Sequence, residues 1–527
     1  MQTIGAAAAL ALILVCGIAF VAMRPTPVQA TLDVQDAKHV RIFDVVRVKF
    51  DRDMDTREFK VKLTPARPMR TKAVGRRVLE LTPATQWQAA QSYRIDLASV
   101  QSADHSSTLK SWRSTFTTQP KVGVVAYKVD GQPAAQPAAV SPHSKIELDF
   151  SVPMSQRSTT VVAGGQAVAK SAVSWAKDSR SVQIGLADLR PYQDVQLGVA
   201  QGALSQAGDP LSEPSALSVS MLPQEPANNS SGVGPGFKAI TPIEVVVENS
   251  GAARPQIGLQ QADMVYEYIS EYSISRMTAI YFNSLPGLIG PVRSCRMVNP
   301  YLDWAFRGVT MCSGMSVGTS RYVFGGGGIP LMPVTVNDFD QGNHFFRSGA
   351  RAAPHNVFTD AGRADRLRHE WNLPPPRFQV DPPHPDQEAG QPADVPFIGL
   401  HAVNYGYDAG TRQYLRFDRG APFIDQGTGN QLGVKNVVVM HVPFHDAGWV
   451  EDENGGAHCI WYDMLGDGAA EIYSDGRVIQ GQWHMGDGGA QFFQNDRAPW
   501  FSDAAGKPIE LNSGLTWIHL VGNGQTS

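Results

Sequence analysis

Apolar and polar positions alternate with a period of two in two stretches of similar wording. Val46-Arg47-Val48-Lys49-Phe50-Asp51 leads to Met54-Asp55, and Ile146-Glu147-Leu148-Asp149-Phe150-Ser151 leads to Met154-Ser155. The step from residue 46 to residue 146 is a domain length rather than a solenoid period. Each copy continues with more alternation, Val78-Leu79-Glu80-Leu81 in the first and Val182-Gln183-Ile184-Gly185-Leu186 in the second. Short alternating strands between turns predict two small β-sandwiches, over 31–119 and 120–222.

The pattern then changes. Residues 223–238 are rich in Pro, Gly, Ser and Asn and bury too little surface to order themselves, so they read as a linker. Ile243 to Val247 is a compact β-branched run, a buried strand. Met264 to Tyr272 and Met277 to Phe282 alternate and form a hairpin across Ser273-Ile274-Ser275. Met297 to Phe306 has helical spacing after Gly290-Pro291, and Val309 to Cys312 is another buried strand. This mixture predicts an α/β domain over 239–395, ending in the Pro-rich stretch Asp381 to Pro396. After Ile398 strands dominate: Tyr414 to Phe417, Asn436 to Val442, Ala470 to Tyr473, Val478 to Trp483 and Leu515 to Val521. Asp475-Gly476 between two of them is a hairpin signal, and a mainly-β unit over 396–527 completes a multidomain α+β chain.

Length fits this division, since 527 residues exceed one core. Residues 4–23 carry no charge and are long enough to span a bilayer as a helix. Arg24-Pro25 ends the run, and Val28-Gln29-Ala30 resembles a signal-peptidase site. Residues 1–30 therefore read as an uncleaved anchor, a cleaved signal, or a lipoprotein signal on Cys16, where Val15 departs from the small residue a lipobox wants. The anchor is preferred, with the remainder on the extracytoplasmic face of the cell membrane, or secreted if the segment is cleaved. Net charge is −4 and no basic run is present, which removes the argument for nucleic acid. Beyond the apolar run stand Cys295, Cys312 and Cys459, an odd number; the first two either pair or remain buried thiols.

Candidate chemistry is concentrated between 250 and 360. Arg254, Asp263, Glu267, Glu271 and Arg276 are followed by Arg293 and Arg296, then by Arg347, His355 and Asn356. Glu267 and Glu271 share one strand face with Val265 and Ile269, where charges need partners. About 13 Å separates them at strand rise, too far for an acid–base dyad. Arg293 and Arg296 precede an expected helix, where cations oppose the macrodipole by roughly 0.3–1 kcal/mol each. Either the arginines pair internally with Asp263, Glu267 and Glu271, or a guanidinium fork and helix amides receive a phosphate or carboxylate.

The Phe-x-x-x-Met repeat resembles bacterial Ig-like domains of surface-layer and other envelope proteins, which act as spacers or adhesive modules. The later segments resemble the YerB-like family of bacterial lipoproteins and membrane-anchored proteins, a two-part domain of unknown function. Arg254-Pro255-x-x-Gly258-Leu259-x-x-Ala262-Asp263, Gly290-Pro291-Val292-Arg293-Ser294-x-Arg296 and Pro354-His355-Asn356 match its first part. Tyr405 to Phe417, Lys435 to Val439 and Gly514 to Ile518 match its second. That family places a His before Gly-Gly-Ser where this chain has Cys312-Ser313-Gly314-Met315-Ser316, so no role for that His carries over. The resemblance implies an envelope location and no reaction.

Other motifs receive plainer readings. Gly314-Met315-Ser316-Val317-Gly318 fits a serine-hydrolase elbow but more simply a tight turn. His441 and His445 share a strand face without a third zinc ligand. Asp338 to Asn343 lacks the closing Glu of a calcium loop, and Gly325 to Gly328 lacks the Lys of a P-loop. No metal or cofactor is expected. The functional expectation is a non-catalytic envelope protein whose arginine pocket binds a cell-wall polymer or another envelope protein. The rival is a phosphotransferase-like enzyme on lipid-linked or phosphorylated wall precursors. By analogy with wall-polymer transferases, it would set Asp263 beside Arg293 and Arg296.

Overall fold

The computed structural model describes residues 26–522, leaving aside 58, 213, 227, 229–239, 273, 326–334, 338–341, 372, 382–392, 399–401 and 487–495. The apolar run of residues 4–23 lies outside the described residues, as do most of the calcium-like and glycine-rich loops. Among the described residues no helix is long and apolar enough to cross a membrane. Of the described residues, 47% are strand and 8% helix, so that part of the chain is mostly β. The expected α+β balance is therefore corrected: short helices only cover sheets.

Residues 30–117 form two sheets over one core. One holds Ala30–Asp33, Val46–Phe50, Val78–Pro83 and Met69–Val74; the other holds Lys60–Thr64, Ser92–Gln101 and Thr108–Thr117. Their inward residues, among them Val48, Leu81, Ile95 and Phe116, pack around Trp87. A second pair of sheets spans 124–221, with Leu148, Val182, Leu197 and Val219 between them. The repeat has a backbone counterpart. Met54 N donates to Arg76 O and Met154 N to Ser179 O, while Phe50 N and Phe150 N donate to Arg77 O and Arg180 O. Both methionines are fully buried, which explains their place in the motif. Arg41 of the first unit grips Asp209 of the second at 2.5 and 2.9 Å.

Ten strands build the remaining body: β1 (Ile243–Glu248), β2 (Met264–Glu271), β3 (Ile274–Tyr281), β4 (Val309–Cys312), β5 (Thr335–Asn337), β6 (Asn436–His441), β7 (Gly466–Ser474), β8 (Arg477–Met485), β9 (Trp500–Asp503) and β10 (Thr516–Val521). Their order is β5-β4-β1-β3-β2-β10-β6-β7-β8-β9. The ranges 239–395 and 396–527 thus contribute to one continuous sheet, joined where β10 lies parallel to both β2 and β6. Central strands β1 and β10 are buried at every residue, as expected for strands covered on both faces. One face packs on α1 (Asn299–Phe306) and the other on α3 (Ala361–Glu370) and a small sheet containing Val403–Asp408 and Gln413–Asp418. A third short helix, α2 (Val317–Val323), follows β4. Between β7 and β8, Asp475 and Gly476 both have positive φ, the geometry a two-residue hairpin turn needs.

The start of the expected linker is ordered by pairing. Gln224–Pro226 lies parallel to Gln379–Asp381, and Glu225 is buried. Glu244 on β1 is also fully buried; its Oε2 accepts from the Thr310 hydroxyl at 3.4 Å, and Oε1 has no hydrogen-bond partner. Gly308 leaves room for it, because a Cβ there would stand 2.5 Å from Oε1. Burial pushes the Glu244 carboxyl up from 4.5 to about 8. The folded state therefore holds a proton that the unfolded chain releases near its ordinary value. That contribution to stability is complete below pH 4.5 and is lost as pH rises through about 8. Urea midpoints should fall from pH 5 to pH 8, and Glu244→Gln should flatten that slope. Glu225, likewise raised to about 8 by burial, should leave a smaller residual slope. An unchanged slope in Glu244→Gln would contradict this assignment.

Candidate functional site

The segment from Arg293 to Cys295 is zipped beside the end of β4. Arg293 N donates to Val246 O at 2.8 Å, Ser313 N to Arg293 O at 3.0 Å, and Cys295 N to Gly314 O at 3.0 Å. Cys295 and Cys312 form a disulfide with Cα atoms 5.5 Å apart, settling the pairing that spacing left open. This fixed ledge, Glu271 and Arg276 at the adjoining ends of β2 and β3, and a hairpin of Phe444–Asp452 and Ala457–Tyr462 border an open cleft of about 370 Å³.

A chain of alternating charges forms one wall. Arg276 Nη2 lies 3.0 Å from Glu271 Oε1, and Arg296 Nη2 donates to the other oxygen of Glu271. Arg296 Nη1 continues to Glu451 Oε1 at 3.1 Å. Glu451 Oε2 accepts the hydroxyls of Ser316 at 2.8 Å and Thr319 at 2.7 Å. Burial works against the Glu271 carboxylate, but Arg296 and Arg276 outweigh it and hold its pKa below the ordinary value. Burial, then the neighbouring Arg296 charge, lowers the Arg276 guanidinium to about 10. These two arginines are nearly enclosed and serve the wall.

The mouth differs. The Arg293 side chain is 29% exposed and its Nε sits 3.6 Å from Glu248 Oε1, a loose contact. Glu248 instead takes close hydrogen bonds from His355 Nδ1 at 3.0 Å and the Ser250 hydroxyl at 2.9 Å. Arg347 is exposed across the cleft, with Nη1 donating to Asn356 Oδ1 at 3.0 Å. The Nε atoms of Arg276, Arg293 and Arg296 have no hydrogen-bond partner.

Of the ten residues singled out by sequence, Glu271, Arg276, Arg293, Arg296 and Arg347 line the cleft, with His355 and Asn356 bonded behind its mouth. Three stand elsewhere. Arg254 forms a bidentate pair with Asp418, at 2.6 and 2.8 Å, and ties the small sheet to the main one. Glu267 is fully buried with Arg416 at 2.9 Å and Trp517 Nε1 at 2.9 Å. Asp263 accepts the backbone amides of Phe282 and Asn228 at 2.7 and 2.8 Å. It lies eight residues before Glu271 along β2, roughly 25 Å at strand rise, so it does not join Arg293 and Arg296 as the transferase analogy required. The helix expectation is also corrected. α1 starts at Asn299, whose Oδ1 accepts the Arg296 amide at 2.7 Å, and its first residues are buried rather than open to an anion.

Sequence reasoning missed Glu248, Glu451 and Ser316 as partners. Glu451 arrives on a hairpin from the C-terminal half, and no local spacing announces it. Ser316 caps α2, accepting the Thr319 amide at 3.1 Å, and among the described residues no imidazole bonds its hydroxyl. Gly314 has φ +83°, and a Cβ on Gly318 would stand 2.0 Å from Trp449 Cδ1. Turn geometry and ring packing therefore account for both glycines of the motif without a nucleophile elbow. Among the described residues no three His, Cys, Asp or Glu side chains converge on a metal position. His441 faces Glu471 at 3.3 Å and His445 faces Asp463 at 3.6 Å.

A disulfide-braced cleft on a ten-stranded sheet shared by two sequence segments defines a two-part domain. Residues 232–371 match the N-terminal domain, and 393–518 the C-terminal domain, of a protein family of unknown function, DUF3048. This half of the chain belongs to that YerB-like family. A Bacillus subtilis (strain 168) protein that carries the provisional name lipoprotein YerB is 28% identical over 290 residues, 53% of this chain and 81% of that protein. The crystal structure of YerB from Bacillus subtilis overlays with TM-score 0.43 and 23% identity, over 55% of this chain and 93% of that one. An L,D-transpeptidase from Mycobacterium tuberculosis H37Rv overlays with TM-score 0.14 and 16% identity, over 29% of this chain and 55% of its own. Overlays this loose say nothing about activity.

Proposed function

We propose that the chain is a non-catalytic protein of the cell envelope that holds an anionic ligand, part of a wall polymer or of another envelope protein, in the cleft. Arg293 carries this reading. It is held at the mouth by backbone pairing, partly exposed, and its nearest carboxylate is committed to other donors. A guanidinium in that setting keeps donors for a phosphate or carboxylate. Arg347 across the opening provides a second contact. The buried disulfide suits an oxidising compartment, and the relative's name as a lipoprotein agrees with tethering at the membrane. The apolar N-terminal segment supplies the tether, and the two N-terminal β units act as Ig-like spacers.

The test is co-sedimentation of the purified chain with isolated cell walls across a salt series. Binding should weaken as salt rises. Arg293→Ala should reduce affinity about tenfold, the scale of one charge-assisted hydrogen bond. Salt-insensitive binding unaffected by Arg293→Ala would remove the cleft from the function. Release of phosphate or transfer of glycan by the purified chain would establish the enzymatic rival instead.

A further inference from the structure

Beside the cleft, aromatic side chains gather on a surface that core packing does not explain. Tyr322, on the last turn of α2, stacks on Trp449 with ring centroids 5.0 Å apart and planes 17° apart. Trp461 meets Tyr322 edge-on at 5.4 Å, and His445 stacks on Trp461 at 6.1 Å. Tyr322 remains 40% exposed. The indoles are held in place: Trp449 Nε1 donates to Thr319 Oγ1 at 3.4 Å and Trp461 Nε1 to the Tyr301 hydroxyl at 2.8 Å. Gly318 exists so that Trp449 can lie against α2.

The patch adjoins the charged cleft: the Thr319 hydroxyl accepts from Trp449 Nε1 and donates to Glu451 Oε2. Ser316 and Val317, at the start of α2, line the cleft, and Tyr322 stands five residues further, about 8 Å along a helix axis. Trp449 is two residues from Glu451, which carries the cleft's charge chain. Asp452, Glu453 and Asn454 at the hairpin tip add acceptors on the rim. An aromatic ring face offers the C–H face of a pyranose a flat apolar support, while neighbouring carboxylates and amides accept its hydroxyls. Guanidinium groups at the mouth then receive an acidic substituent.

We propose that the cleft and the Tyr322–Trp449–Trp461 patch form one binding site for an acidic oligosaccharide, a sugar ring on Tyr322 and its carboxylate or phosphate at Arg293. This rests on the anion-binding reading above and adds the ligand class. The test uses the full chain with two probes, a hexuronate tetrasaccharide and inorganic polyphosphate, read by tryptophan fluorescence and calorimetry. Tyr322→Ala should weaken the tetrasaccharide on the order of tenfold and leave polyphosphate unchanged. Tyr322→Phe should bind like the parent, and Arg293→Ala should weaken both probes. If Tyr322→Ala alters neither, the saccharide assignment is overturned while the anion cleft stands. If neither probe binds the parent, both readings fall. An unchanged melting temperature in Tyr322→Ala confirms that its loss is one of binding.

Discussion

Arg416→Ala should destabilise the chain by about 3–5 kcal/mol, the cost of stranding one member of a buried ion pair. Both side chains of the Arg416–Glu267 pair are fully buried, 2.9 Å apart. Arg416 also donates to the Tyr405 hydroxyl at 2.6 Å and lies against the rings of Trp517, at 4.4 Å, and Phe423, at 4.7 Å. Glu267 would retain hydrogen bonds from Trp517, Ser275 and Asn249 but lose its countercharge. The pair joins the small sheet to β2 and β10, so its loss loosens a seam as well as a contact. Urea unfolding measures the effect, and the double variant Arg416→Met/Glu267→Gln should recover part of it. A loss below about 1 kcal/mol for Arg416→Ala would mean that the pair is far better solvated than its burial indicates.

Removing the Cys295–Cys312 disulfide should cost about 3 kcal/mol, the entropy of closing a loop of this length. The two cysteines are 17 residues apart and fully buried with Val246 beneath the ledge that carries Arg293. The paired substitution Cys295→Ala/Cys312→Ala should lower the melting temperature and abolish its dependence on reductant. Ligand affinity should fall as well, because Arg293 loses its fixed origin. A double variant that melts like the parent would show that the zipper of backbone hydrogen bonds alone holds the ledge.

Local patterning was legible where one strand face meets solvent. Val46 to Phe50 alternates between buried and exposed residues as the sequence does, and its repeat at Ile146 to Phe150 follows. The YerB-like motif series was equally legible and marks the half of the chain that the family covers. Alternation misled in β2, where every residue but the last is buried. Its charged positions are not a polar face, because Glu267 and Glu271 point into two different networks. Glu271 meets Arg276 and Arg296 from its own segment, whereas Arg416, which holds Glu267, and Glu451, which holds Arg296, come from the other family segment, where no spacing rule reaches them. The helix-start argument failed for a related reason. The arginines are placed by pairing beside β4 and bind acids, and α1 begins only after Arg296.

The position of β10 has a consequence for how this protein is made. Ribosomes deliver the chain from its first residue onward, yet the strand that unites the two halves of the large sheet is the last of its ten strands to emerge. Until residues 516–521 are available, β2 and β6 each present a bare rim, Met264 to Glu267 on one and Asn436 to His441 on the other. The two half-sheets therefore join only once β10 has been made. A chain that stops just before Thr516 should carry two separate half-sheets with unpaired strand edges, prone to association.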